Sequence, residues 1–211
     1  MYGHNQDRLP RPLTSMTIDE VIAAGPSWTK RWKSSACGGY QFMNATLKDL
    51  KAELRLRGSQ KLDPDLQDRL GYHLLKRRGY QDFMAGRIDR TEFAKRLAME
   101  WASFPVLKAT TGAHRNIARG QSYYAGDGLN KALVSPAAIE AILDRVKDAG
   151  GATGALPPSP GSQHPLKPKP APVSPAGGKA GLLAAILMGI AGMLYAFWEK
   201  VTGFISSIIG G

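Results

Sequence analysis

The sequence predicts a mainly α fold with a small β or loop lobe, followed by a flexible linker and one C-terminal membrane helix. Three observations carry this. Apolar residues recur at helical spacing in five stretches between Thr17 and Val146, several opened by capping residues. Runs of Gly, Pro and small polar residues fill the intervals. After Gly151 the composition changes abruptly, first to Pro, Gly, Ala, Ser and Lys, then to an apolar run. The chain has 211 residues, 43% of them hydrophobic, enough for one domain of ordinary size with appendages. The expected organisation is a domain over residues 1–150, a linker over 151–179, a membrane span over 180–198 and a short tail over 199–211.

The first sixteen residues, with Gly3, Pro10 and Pro12, lack a helical period and read as strand or loop. Thr17-Ile18-Asp19-Glu20 is a capping box in which the Thr hydroxyl and the Glu carboxylate satisfy each other's free amides. Its helix is expected to last about two turns and to end at Gly25-Pro26. Ser27 to Gly39 then reads as irregular, and Trp28 and Trp32 within it as packing residues rather than a sugar-stacking pair. From Phe42 to Arg57 the apolar side chains fall largely on one helical face, and Gly58 stops the run. Asp63-Pro64 opens the next helix, since proline at the first helical position has no amide hydrogen to lose. That helix ends in Lys76-Arg77-Arg78 before Gly79, cations that complement the negative end of the helix dipole. Asp89-Arg90-Thr91-Glu92 is a second capping box, and Phe93, Leu97 and Trp101 follow as a stripe. A Gly-rich connection from Gly120 to Gly128 carries Tyr123 and Tyr124 and has the length of a binding loop. Ser135-Pro136 opens a last helix that closes at Gly150-Gly151.

The stretch Ser34-Ser35-Ala36-Cys37-Gly38-Gly39-Tyr40-Gln41 is the most informative of the chain. Glycines let backbone approach a ligand closely and tolerate positive φ. Tyr40 can stack on or hydrogen-bond a sugar ring, and Gln41 offers a donor and an acceptor from one planar amide. Both are expected at the mouth of the helix that follows. Together with Glu100-Trp101-Ala102-Ser103-Phe104-Pro105, about sixty residues later, this run resembles the phage endolysins, in particular the lambda-type lysozymes. The resemblance covers roughly residues 1 to 150 and rests on these two runs in this order. It implies a lysozyme-like fold and cleavage of MurNAc–GlcNAc bonds in peptidoglycan, by hydrolysis or by closure of the sugar's own 6-hydroxyl on the anomeric carbon. It implies substrate contacts by Tyr40, Gln41 and Trp101, a prophage-derived protein and no cofactor.

Glycoside cleavage needs an acid to protonate the leaving oxygen. In the lambda-type family this acid is one Glu at the end of an N-terminal helix, followed by a small residue and Gly. No Glu-Ser-Gly or Glu-Thr-Gly occurs in the chain, so no catalytic residue is assigned. The expectation is a longer protein of which Met1 is an internal position, or a degenerate remnant. Asp7 and Glu100 are poor substitutes: Asp7 lies in an Arg- and Pro-rich loop, and Glu100 points about 100° away from the Trp101 stripe. Two further readings follow from the missing acid and the apolar tail: an inactive wall-binding protein, or a holin-like membrane-disrupting one.

The net charge of +11 favours anionic partners, and 24 basic against 16 acidic side chains lie in residues 1–150. No zinc-finger spacing or basic-aromatic repeat points to nucleic acid. Cys37 is the only cysteine, which rules out an internal disulfide, and four scattered His do not suggest a metal site. Ala180–Trp198 is an uncharged apolar run of 19 residues, long enough to cross a bilayer as a helix. Tyr195 and Trp198 sit where an interfacial belt is expected, and pairs of small residues four apart could bring two such helices together as a homo-oligomer. The expected location is the bacterial cell envelope, with the chain anchored by this single span.

Overall fold

A computed structural model describes the backbone of residues 2–152 and the side chains of residues 5–148. The linker beyond residue 152, the apolar run 180–198 and the oligomer contact expected of it, and the tail 199–211 lie outside the described residues. Among the described residues no helix is long and apolar enough to cross a membrane. The described chain is mainly helical with one small two-stranded sheet, and it divides after Gly71 into two compact units.

The first unit opens with two 3-10 segments, Tyr2–Arg8 and Leu13–Ser15, in place of the expected strand or loop. Two long helices follow, α1 (Ile18–Trp32) and α2 (Asn44–Glu53), and the unit ends within α3 (Pro64–Arg77). The Thr17–Glu20 capping box forms as expected, the Thr17 hydroxyl accepting the Glu20 N–H and the Glu20 carboxylate accepting the Thr17 N–H. The end of α1 differs from expectation: the helix runs through Gly25-Pro26 for two further turns. Proline removes the N–H that would reach the carbonyl of Ile22, four residues back. The side-chain amide of Asn44 donates to that carbonyl instead, at 2.7 Å. Gly25 makes room for it, since a Cβ there would come within 2.0 Å of Asn44 Nδ2. Trp28 and Trp32 are therefore helical residues one turn apart, ring centroids 6.2 Å apart, with Trp28 buried in the core.

Helix α2 begins two residues later than the apolar period predicts, because Phe42 is taken up in a bridge to Cys37. It ends at Glu53, where Arg55 turns the chain with φ of +50° before Gly58 is reached. Residues 58–62 then run beside the start of α1, with Ile18 N–H donating to Gln60 and Leu62 N–H to Met16. Asp63 caps α3 through the Leu66 N–H at 2.8 Å. Ile18, Val21, Phe42, Leu47, Leu50 and Leu62 are almost wholly buried and form the centre of this unit's core.

The second unit holds the end of α3, the short α4 (Tyr80–Met84), α5 (Arg90–Glu100), the hairpin β1 (Thr110–Thr111) and β2 (Asn116–Ile117), and α6 (Pro136–Ala152). The strands are antiparallel with Thr110 opposite Ile117. Gly79 at φ of +92° separates α3 from α4. Asp89 caps α5 through the Glu92 N–H, while the Glu92 carboxylate accepts from Arg96 rather than closing the box. Phe83 stacks on Phe93 with centroids 4.8 Å apart, and α4, α5 and α6 pack around that pair. Lys76 and Arg77 end α3 as dipole-complementing cations, but Arg78 does not belong to that cluster. It is 4% exposed and paired with Glu100, also 4% exposed.

Candidate functional site

Residues 38–41 form a four-residue turn closed by the Cys37–Phe42 bridge, whose two backbone hydrogen bonds measure 3.0 and 2.8 Å. Tyr40 and Gln41 are thus at the tip of a tight turn, not at the mouth of a helix. Gly38 has φ of +72°, a conformation glycine adopts freely. Gln41 also lies in the left-handed region, at φ of +52°. A residue with a side chain is held there at a cost of about 1–2 kcal/mol. The Gln41 N–H and its side-chain Nε2 both donate to the Gly38 carbonyl, at 3.2 and 3.0 Å, so the turn is braced from within.

Helix α3 braces it from the other side. Gln67 Oε1 accepts the Gly39 N–H at 2.9 Å, and Tyr40 OH donates to Asp68 Oδ1 at 2.9 Å. The Tyr40 ring lies flat enough on the helix that a Cβ on Gly71 would come within 2.4 Å of it. Burial, reinforced by the hydrogen bond and negative charge of Asp68, holds the Tyr40 phenol well above the usual tyrosine range. At 2% exposure its ring faces are covered by protein, so Tyr40 anchors the turn, and Gln41, half-buried, is the side chain left at its surface. Sequence reasoning missed Gln67, Asp68 and Gly71. The signal available was a mid-helix glycine, which costs about 1 kcal/mol against alanine and asks for a packing reason.

Trp101 lies in the second unit. It follows α5 as the C-cap, is 6% exposed, and its ring tilts against Phe104 with centroids 5.8 Å apart. The run around it is stitched to the Gly-rich connection that the sequence marks as a binding loop. Ser122 Oγ donates to the Ala102 carbonyl at 2.6 Å, Tyr124 OH to Met99 at 2.7 Å, and Val106 N–H to Gln121 at 2.9 Å. Pro105 and Ser122 form a bridge. The connection is thus largely a scaffold for Trp101–Val106. Its outer part is ordered by Asp127, whose carboxylate accepts the N–H groups of Leu129 and Asn130 at 2.9 Å. Burial works against the Asp127 charge, but these donors, the Asn130 amide and the nearby His114 outweigh it and hold the carboxyl below its ordinary range.

The glutamates are largely committed. Glu20 caps α1, Glu92 pairs with Arg96, and Glu140 takes a two-pronged contact from Arg119 at 2.7 and 3.0 Å. The Arg119 hydrogen bond and charge hold the Glu140 carboxyl below its ordinary range. Glu100 Oε2 accepts from Arg78 Nε and Nη2 at 3.0 and 2.8 Å. Glu53 is exposed at the end of α2. Cys37 is fully buried, its Sγ directed at the Phe42 carbonyl. Among the described residues, no group of three or more His, Cys, Asp or Glu is placed to hold a metal ion.

A model of the endolysin family matches residues 23–128, half of the chain. The matched span contains the Gly38–Gln41 turn, the Gln67-Asp68 pair that grips it and the Trp101–Pro105 run. Searches of the curated proteins and of the solved structures each found no match. On the family match, with both runs inside it, the chain belongs to the endolysin family.

Proposed function

We propose that the chain is a phage-derived lytic protein whose residues 1–150 form a lysozyme-like domain acting on the glycan strands of peptidoglycan. The observation that carries this is the Gly38–Gln41 turn. A strained Gln41 backbone is retained at the surface of a turn that Gln67, Asp68 and the Cys37–Phe42 bridge all restrain. Strain of this kind persists where surrounding structure over-determines it, and it clusters at ligand-binding positions. Gln41 is the glycan contact in this reading and Tyr40 the buried anchor behind it; Trp101, proposed as a weaker contact from the family resemblance, is 6% exposed within the second unit. The bond cleaved is MurNAc–GlcNAc. The glycosidic C–O bond breaks as water, or the MurNAc 6-hydroxyl, forms the new bond at the anomeric carbon; the leaving oxygen gains a proton and the attacking hydroxyl gives one up, so protons balance. The apolar run 180–198 serves as the membrane attachment.

A second reading has a specific observation in its favour. Glu20, Glu92, Glu100 and Glu140 are each committed to a cap or an ion pair. A wall-binding role without cleavage needs none of them. Incubation of the full chain with purified sacculi separates the readings. Release of reducing ends marks hydrolysis, release of anhydro ends marks the intramolecular route, and sedimentation with sacculi without either marks binding alone. No sedimentation and no release would remove both.

A further inference from the structure

Gln67 is 4% exposed, yet both ends of its amide are used. Its oxygen accepts the Gly39 N–H at 2.9 Å, and its nitrogen donates to the Leu62 carbonyl at 2.8 Å. One planar group therefore ties the turn to the segment that enters α3, and asparagine, a methylene shorter, would not span the same distance. Gly38 sits so close that a Cβ would come within 2.6 Å of the same oxygen. Two residues beyond the clamped N–H is Gln41, in its left-handed conformation. Without the acceptor, the half-buried Gly39 N–H would lose its partner and the Gly39-Tyr40 segment would reorient to find another. Gln41 could then relax to ordinary backbone angles and carry its side chain away from its present position.

We propose that Gln67 is a positioning residue: it touches no ligand, and it sets the glycan contact by locking the turn in which Gln41 is strained. This rests on the assignment of Gln41 as the glycan contact. It predicts a functional loss larger than the loss of stability, because the interaction it supplies is spent on one conformation of the turn.

The test is a cycle on the full chain, read by sedimentation with purified sacculi under conditions where circular dichroism shows every variant folded. Gln67→Met keeps the volume and removes both hydrogen bonds. Gln67→Glu keeps an acceptor for the Gly39 N–H, but loses the donor to Leu62 and, when ionised, sets a buried carboxylate against that carbonyl. Ile139→Val or Ile139→Ala, buried in the second unit, supplies a variant of matched stability loss. Gln67→Met is expected to weaken sacculus affinity about tenfold, within the coupling range of residues sharing one hydrogen-bond network. Gln67→Glu should recover part of that, and the Ile139 variant should bind like wild type. Gln41→Gly added to Gln67→Met should change little further. Where Gln67→Met fails to fold, Gln67→Leu, which also removes both hydrogen bonds, carries the same cycle with and without Gln41→Gly. Full additivity with Gln41→Gly, or a Gln67 loss no larger than that of the Ile139 variant, would overturn the positioning role. Wild-type chain that fails to sediment would instead remove the glycan reading, and this inference with it.

Discussion

The side-chain amide of Asn44 donates to the carbonyl of Ile22 at 2.7 Å, filling the place in α1 that Pro26 leaves without a backbone donor. A residue at the start of one helix thus lets another continue through a proline. Asn44→Ala should cost about 1–2 kcal/mol by orphaning that carbonyl. The penalty should shrink in a Pro26→Ala background, where the backbone N–H is restored. Urea unfolding of the four members of the cycle measures both numbers, and equal penalties in the two backgrounds would contradict the substitution of one donor for the other.

Arg78 and Glu100 form a buried ion pair within the second unit, with side-chain exposures of 5% and 3%. Arg78→Met leaves the Glu100 charge without its guanidinium fork and should destabilise by about 3–5 kcal/mol. Arg78→Lys should recover only part of this, because a single ammonium cannot reproduce the paired Nε and Nη2 contacts that converge on Glu100 Oε2. Arg78→Met with Glu100→Leu should be closer to wild type than Arg78→Met alone. Denaturant midpoints at neutral pH report the order.

Burial and Asp68 raise the folded-state proton affinity of Tyr40 above that of an exposed tyrosine. A group raised on folding contributes stability that is complete below its unfolded value, near pH 10, and that is lost as pH rises toward the folded value. Tyr72 and Tyr80 are raised in the same direction, chiefly by burial. Stability should therefore fall above about pH 10, and Tyr40→Phe should flatten part of that fall while costing about 1 kcal/mol at neutral pH through the lost hydrogen bond. Thermal midpoints from pH 8 to 11 for the two proteins give the comparison, and parallel curves would count against Tyr40 as a contributor.

Helix existence was legible in the sequence wherever a cap and an apolar period coincided. Thr17, Asp63, Asp89 and Ser135 each precede a helix, and all four accept an N–H from the residue three positions on at 2.7 to 3.3 Å. Boundaries set by distant partners were not legible. The run of α1 through Pro26 depends on Asn44, and the late start of α2 depends on the Cys37–Phe42 bridge. The same holds for the site. The Ser- and Gly-rich turn up to Gly39 was legible, but Tyr40 and Gln41 read as a helix mouth, because the residues that grip them lie on α3, 28 positions downstream. Arg78 looked like the third cation of a helix end because local charge pattern says nothing about a partner on α5. The β1–β2 hairpin, two residues per strand, is too short to leave an alternating pattern.

Gln41 is the residue on which the functional account converges, and Gln41→Gly separates its role in binding from its role in folding. Glycine adopts the left-handed conformation without strain, which offsets the loss of the side-chain bond to Gly38, so stability should stay within about 1 kcal/mol of wild type. Sedimentation of the two full-length proteins with purified sacculi is the direct measurement. The account predicts a folded Gln41→Gly variant whose sacculus affinity falls about tenfold or more, a loss of about 1.4 kcal/mol. A variant that binds sacculi as tightly as wild type would contradict it.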